Sequence, residues 1–136
     1  MLAGCGDGSR TTPPRASSPE IGSIRTALSE IDRLAQRHAY NQLCERVVIT
    51  QSASTAIADA RRLGALTGAA ARRWNDECSR LLRTAAATPV PGTADRIRVT
   101  GREATADYTS TGATETVHLL LVAGQWRLVI PVDAVG

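Results

Sequence analysis

The sequence predicts an α+β fold in which N-terminal helices cover a C-terminal antiparallel sheet of about four strands. Apolar residues recur every three or four positions through most of the first part of the chain, which is the period of amphipathic helices. From Arg96 onward the period changes to two, which is typical of strands. The segment 88–92, Thr-Pro-Val-Pro-Gly, separates the two parts. A chain of 136 residues therefore fits one domain, 19–136, preceded by a short tail.

Four helices are expected in the N-terminal part. The first is long and begins at Ser18, whose hydroxyl can cap the first turn. The second, over 40–48, is expected to be short or to continue the first with a bend. An Ala-rich third helix is predicted over 54–63, ending near Gly64, and a fourth over 68–87.

Each of the better-defined helices has one apolar face. In the first helix that face consists of Ile21, Ile24, Leu28, Ile31, Leu34 and Ala35. In the second, the inward residues are Leu43, Cys44, Val47 and Val48. In the fourth, they are Ala71, Trp74, Cys78, Leu81, Leu82 and Ala85. The other side of the fourth helix has i,i+4 spacing for the ion pairs Arg72–Asp76, Arg73–Glu77 and Asp76–Arg80, which favours a solvated, internally paired face over an anion site.

Strands are predicted over 96–100, 103–110 and 115–122, and a last strand ends before Pro131. Tight turns are expected at Gly101, Gly112 and Gly124. Alternation places one set of apolar side chains on a common sheet face that the helices cover: Val117, Leu119, Leu121, Trp126, Leu128 and Ile130. Thr116, His118 and Leu120 alternate with them and are expected on the outer face.

The N-terminal residues 1–5 contain a possible lipidation signal. Leu2-Ala3-Gly4-Cys5 has the form of a lipobox, at which a bacterial lipoprotein signal peptide is cut and Cys5 is acylated. The segment 6–18 is rich in Gly, Ser, Thr and Pro, as expected of a flexible tether. The interpretation requires the charged and apolar regions of a signal peptide upstream, or Met1 as part of the apolar region. The alternative is an incidental free cysteine.

The other two cysteines, Cys44 and Cys78, predict a disulfide in an oxidising compartment, because lipidation of Cys5 leaves an even pair. Two buried free thiols are the alternative. A zinc site is not expected, because His38 and His118 lie far from any Cys-x-x-Cys spacing. No metal and no cofactor are therefore predicted.

Composition restricts the possible partners. All basic residues are Arg, and the net charge of +3 is small and scattered, which argues against a nucleic-acid-binding face. The abundant Arg and Ala indicate a GC-rich genome, such as those of actinobacteria. No run approaches the roughly 20 apolar residues of a spanning helix.

The chain resembles small actinobacterial lipoproteins of the nuclear-transport-factor-2-like, or cystatin-like, superfamily. The resemblance rests on Ala-Tyr-Asn-Gln-Leu-Cys in 39–44, on the Val-x-Val-x-Gly-x-x-Ala-x-Ala type of strand matched by 97–106, and on Gly-x-Trp-Arg-Leu in 124–128. It implies the helix-on-sheet fold and, in the enzymes of the superfamily, Asp and Tyr side chains inside a conical pocket. No family catalytic motif maps onto this sequence. The residues for such a pocket would be Tyr40, Tyr108 and Trp126, with Asp107 and His118 expected outside it.

These observations predict a lipoprotein anchored at the outer face of the cytoplasmic membrane, held by membrane lipid on Cys5. No catalytic residues are assigned, because serine-hydrolase, nucleotide-binding and metalloprotease motifs are absent from the sequence. We expect a non-catalytic module that binds an envelope protein, a peptidoglycan-associated component or a small apolar ligand. A pocket enzyme of the isomerase or dehydratase kind is the alternative, and a surface antigen or phage-encoded envelope protein is a third.

Overall fold

A computed structural model describes residues 18–85 and 92–131 and confirms the α+β class. The helices are α1 (Ser18–Gln36), α2 (Tyr40–Leu43), α3 (Ala56–Ala65) and α4 (Gly68–Ala85). Two short 3₁₀ turns lie at Cys44–Arg46 and Ala53–Thr55. The strands are β1 (Val47–Thr50), β2 (Thr93–Thr100), β3 (Glu103–Ser110), β4 (Ala113–Val122) and β5 (Gln125–Pro131).

The described strands form one mixed sheet of five strands in the order β1-β5-β4-β3-β2. Adjacent pairs among β2 to β5 are antiparallel, whereas β1 runs parallel to β5, with Val47 opposite Leu128 and Ile49 opposite Ile130. The sequence expectation of a helix through Val48 is therefore wrong. β-branched side chains at 47–50 favour extended backbone, and pairing with β5 satisfies their backbone groups.

Two of the strand-joining turns follow the sequence expectation closely. Thr111 and Gly112 have φ of 50° and 82°, and Ala123 and Gly124 have φ of 50° and 81°. Positive φ at both central residues is the geometry whose twist matches that of an antiparallel pair. Glycine at the second position adopts this backbone without a Cβ penalty.

The sheet face that the sequence assigned to the core is covered by α1. Ile24 is fully buried, and Ala27 and Leu28 of the same helix face join it against residues of three strands: Ala104, Ala106, Leu119 and Trp126. Trp126 is 8% exposed, as expected for an indole that fills the helix–sheet gap. Val117, Leu121 and Leu128 pack on the same cluster, as the alternation predicts.

A second cluster lies where α1, α2 and α4 meet the β1 end of the same face. Its buried residues are Ile31, Leu34, Leu43, Cys44, Val47 and Cys78. Cys44 and Cys78 are joined by a disulfide, with Cα atoms 6.0 Å apart, within the range that a disulfide spans. The bond attaches α4 to the turn that leads into β1.

The opposite face of the sheet, the outer face of the sequence prediction, is covered at one end by α3, a cover that the sequence did not predict. Leu120 and Val122, at 7% and 6% exposure, pack with Val48 of β1 and with Ala56 and Ala60 of α3. His118 is exposed, as predicted. The outer face is therefore apolar around Val48, Leu120, Val122 and Val129 and polar across β2 and β3, and Arg127 of β5 also lies on it.

Candidate functional site

Cys5, the predicted lipidation residue, and its tether lie outside the described residues. Cys44 and Cys78 lie at the second cluster, where both sulfur atoms are buried and Cys44 Sγ is 3.8 Å from Ser79 Oγ. Neither of them carries a free thiol in this structure. Their role here is to hold α4 against the start of β1.

The three aromatic residues considered for a pocket are held by different neighbours. The Tyr40 hydroxyl lies 3.2 Å from His38 Nδ1, and the Arg83 guanidinium carbon lies 5.8 Å from the centre of the Tyr40 ring. Trp126 is a core residue under α1. Tyr108 donates a hydrogen bond to Asp32 Oδ2 of α1. The structure does not bring the three side chains together around one cavity.

The Tyr108–Asp32 pair ties β3 to α1 at the β2 side of the sheet. Burial, followed by the hydrogen bond to Asp32 and the charge of its carboxylate, raises the pKa of the Tyr108 hydroxyl well above its ordinary value. Gly92 approaches the ring so closely that an added Cβ would lie 2.5 Å from Tyr108 Cε2. The pair is a half-buried structural contact, and the raised pKa favours the neutral phenol.

Two clefts lie at the other end of the sheet, where α3 and α4 lie on either side of β1. The two helices lie on opposite faces of the sheet, and Leu66 and Thr67 connect them past the β1 edge. Leu63, Leu66 and Trp74 line both clefts. One, which we call the edge groove, has a volume of about 630 Å³ and extends past Thr50 and Asp59.

The second cleft, which we call the Trp74 cleft, has a volume of about 540 Å³ and reaches Arg127 on β5. Amide side chains from α2 and α4 lie at its wall. Asn75 Nδ2 donates a hydrogen bond to the Asn41 carbonyl oxygen at 3.2 Å, and Ser79 Oγ donates to Asn41 Oδ1 at 2.6 Å. These contacts fix α2 against α4, so this wall of the cleft is held by hydrogen bonds as well as by the disulfide.

Arg127 is the unusual group of the Trp74 cleft. Its Nη1 donates to the carbonyl oxygens of Cys44 and Val47, both at 3.4 Å, beyond the usual range for such bonds. Its Nε is buried and, within 18–85 and 92–131, has no hydrogen-bond partner. Burial, opposed by the charge of Glu45 and assisted by that of Arg46, lowers the pKa of this guanidinium. The Arg127 guanidinium therefore loses more hydration through burial than its neighbours replace with hydrogen bonds and negative charge.

The edge groove contains a well-satisfied carboxylate. The buried Thr50 hydroxyl donates to Asp59 Oδ2 at 2.5 Å, and Arg62 forms an ion pair with the same side chain. The Thr50 hydrogen bond, outweighing burial and joined by Arg62 and Thr55, lowers the pKa of Asp59. A carboxyl group in this state accepts hydrogen bonds and is a poor proton donor at neutral pH.

Other chemistry is not visible in the described part of the chain. No group of three or more His, Cys, Asp or Glu residues there is placed to hold a metal ion. Within the same residues, no helix combines the length and hydropathy that crossing a bilayer requires. The ion pairs predicted along α4 do not form either, because none of Arg72, Arg73 or Arg80 lies within 4 Å of an acidic oxygen in residues 18–85 and 92–131.

Comparison with known proteins gives no further assignment. No protein family, no curated protein and no solved structure matches this chain.

Sequence reasoning missed Arg127 as a site residue. The alternation along β5 places its side chain on the face opposite Trp126 and Leu128, so the direction of Arg127 was available. The cleft itself could not be predicted from the sequence, because it forms only when β1 pairs with β5 and α3 covers the second face of the sheet.

Proposed function

We propose that this protein is an exported lipoprotein, anchored through acylated Cys5 at the outer face of the cytoplasmic membrane, whose domain is a non-catalytic binding module. The observation that carries the proposal is the Cys44–Cys78 disulfide. It uses two of the three cysteines, and disulfides persist in oxidising compartments such as the cell envelope. Cys5, in its Leu-Ala-Gly-Cys context, is the remaining cysteine and is followed by a polar spacer.

The binding role is supported by the two clefts between α3 and α4. Their volumes of about 630 and 540 Å³ lie in the range of small-ligand sites. Both combine apolar side chains, including Leu63, Leu66 and Trp74, with at least as many polar or charged residues. Such a lining favours binding of a partly apolar group by contact and orientation by a few hydrogen bonds.

The nuclear-transport-factor-2-like, or cystatin-like, assignment belongs to the same proposal. It is supported by the motifs in 97–106 and 124–128 and by the packing of the long helix α1 on one sheet face. A pocket enzyme would need a carboxyl of raised pKa inside a cavity. Asp59, which lines the edge groove together with Glu77, has a lowered pKa and does not supply that group.

Detergent partitioning tests the anchor. The chain would be expressed in a bacterial host behind a lipoprotein signal peptide, with Cys5→Ala as the variant and Ser9→Ala in the tether as the matched control. Wild type and Ser9→Ala should enter the detergent phase, because several acyl chains on one cysteine hold a protein firmly at a membrane. Cys5→Ala should stay in the aqueous phase or remain unprocessed. Equal partitioning of all three proteins would refute the lipid anchor.

A further inference from the structure

We propose that the Trp74 cleft binds a carboxylate on an apolar body, with the carboxylate on Arg127 and the body against Trp74, Leu63 and Leu66. The proposal rests on the proposed role as a binding module and names the chemical class of the ligand.

The Arg127 guanidinium lacks some of the partners that a buried cation normally has. A guanidinium has five N–H donors in a planar fork, and buried ones are normally paired with an acidic group. Here Nη1 makes two long contacts with carbonyl oxygens, and the buried Nε has no partner within the described segments. In the same segments no acidic oxygen lies within 4 Å of Arg127. The guanidinium therefore has no negatively charged partner among the described residues.

Neighbouring charges do not supply that partner. Glu45 is exposed and acts on Arg127 only through space, and Arg46, which opposes it, is already ion-paired with Glu30 of α1. An unpaired buried charge is costly, whereas a paired and hydrogen-bonded one is not. An external anion would therefore bind more tightly, because it would give the Arg127 guanidinium the ion pair that it lacks and would make its own contacts with the cleft as well.

The surroundings select a carboxylate over a phosphate. A planar carboxylate matches the two-donor fork of a guanidinium and carries a single charge. Besides Arg127, the charged residues of the cleft are Glu45, Asp76 and Arg72, all exposed, so its lining holds two carboxylates and two guanidiniums. This balance disfavours a doubly charged anion relative to a singly charged one. Asn41, Gln42 and Asn75 add amide groups to the lining. The bulkiest apolar side chains of the cleft are the half-buried Trp74, Leu63 of α3 and Leu66 of the α3–α4 connection.

The two tryptophans provide a direct readout. Trp74 lines the cleft, and Trp126 is buried under α1, so their two indole N–H signals in a ¹⁵N-resolved NMR spectrum report on the site and on the core. The probes are hexanoate, hexyl phosphate, hexanol and hexylammonium, added to the full chain at constant ionic strength. Hexanoate should shift the Trp74 indole and the Arg127 Nε–H saturably and leave Trp126 unchanged. Its affinity should exceed that of each other probe by at least about tenfold, the effect of one charge-assisted bidentate contact.

Three variants complete the test. Arg127→Gln should weaken hexanoate binding at least about tenfold, and Arg127→Lys should weaken it less, because the charge remains and the fork is lost. Arg98→Gln, an exposed arginine on β2, is the charge-matched control and should bind as wild type does. If Arg127→Gln fails to fold, Arg127→Lys and the probe series still decide the question. Raising the salt concentration should weaken hexanoate binding and not hexanol binding.

Several results would overturn the proposal. Equal affinity for hexanol and hexanoate would mean that only the apolar part of the ligand contributes to binding. Tighter binding of hexyl phosphate than of hexanoate would mean that the charge of the ligand, not the geometry of a carboxylate, determines the affinity. Unchanged hexanoate affinity in Arg127→Gln would remove Arg127 from the site. If no probe binds and the Arg127 Nε–H is already protected from exchange in the free chain, an internal group is its partner. None of these outcomes affects the lipid anchor, which detergent partitioning tests separately.

Discussion

The two ends of the sheet differ in how many of their faces are covered. At the β1–β5–β4 end, α1 and α4 cover one face and α3 covers the other, and the strands contain continuous apolar runs such as Val47-Val48-Ile49 and Leu119–Val122. At the β2–β3 end, residues 18–85 and 92–131 cover only one face, and Ala104-Thr105-Ala106-Asp107 alternates apolar with polar. A strand that is buried on both faces therefore has apolar residues at successive positions, and its sequence lacks the alternation of apolar and polar residues.

The difference also locates the candidate site. The doubly covered end needs helices on both sides of the sheet, and the space between α3 and α4 as they pass the β1 edge forms the two clefts. It also leaves Arg127 on a face that α3 only partly covers. The open end offers polar side chains, including Asp107, which accepts from Thr116 at 3.3 Å and lies 3.8 Å from Arg96. These exposed contacts contribute little to stability.

The largest effect is expected from Trp126→Ala, which removes the bulkiest side chain under α1. The free energy of unfolding should fall by about 3 to 5 kcal/mol, because the cavity cannot collapse fully. Val99→Ala, a half-buried residue on the same face at the open end, is the matched control and should cost about 1 kcal/mol. Urea unfolding measures both. Equal losses would contradict the difference between the two ends.

Loss of the Cys44–Cys78 disulfide should have the next largest effect on stability. Cys44→Ala with Cys78→Ala should lower the free energy of unfolding by about 2 to 4 kcal/mol, since the bond closes a loop between residues 34 positions apart. The loss should appear as a lower Tm of protein purified from an oxidising compartment. Reduction of the wild type should give the same Tm as the double variant, and an unchanged Tm in both cases would contradict a stabilising bond.

Two residues on the same face of β4, one buried and one exposed, offer a sharper comparison within one strand. Leu120→Ala should cost about 2 to 3 kcal/mol, because Leu120 is buried against α3. His118→Ala, two residues earlier on the same face but exposed, should change stability by less than about 0.5 kcal/mol. Chemical denaturation of the two variants checks this. A small loss in Leu120→Ala would mean that α3 does not cover the sheet.

The smallest effect concerns Tyr108 at the open end. Tyr108→Phe should cost about 1 to 2 kcal/mol at neutral pH, because Asp32 loses its donor. The raised pKa of Tyr108 favours the neutral phenol in the folded state, so its contribution is fully present below the unfolded value of about 10 and is lost as pH rises above it. The difference in Tm between wild type and Tyr108→Phe should therefore shrink at alkaline pH. A difference that grows there would contradict the pair.

The sequence predicted the parts of the fold in which a period is visible. The face of α1 that contains Ile24 and Leu28, the turns at Gly112 and Gly124, and the common face of Leu119 and Trp126 all follow from spacing. The strand β1 was missed because a short run buried on both faces has no alternation and directly follows helical residues.

The candidate site was harder to predict than the fold. Leu120 was correctly placed on the outer face, but no helix was predicted to cover that face, so the α3–α4 clefts could not be predicted either. Arg127 gave no local signal, since its unpaired Nε depends on where β1 and the Cys44 carbonyl lie in three dimensions. The charged residues of α4 have the spacing of ion pairs, but exposed side chains gain too little from pairing to be fixed by spacing alone.

Mass spectrometry tests most directly the proposal of an exported domain with a lipid anchor on Cys5 and a Cys44–Cys78 disulfide. The full chain would be purified from bacterial membranes and digested with trypsin without reduction. Because every basic residue is Arg, cleavage gives defined peptides. The account predicts that 5–10 begins with acylated Cys5, and that 38–46, with Cys44, is linked to 74–80, with Cys78. An unmodified Cys5 within a longer N-terminal peptide, together with free thiols at Cys44 and Cys78, would contradict it.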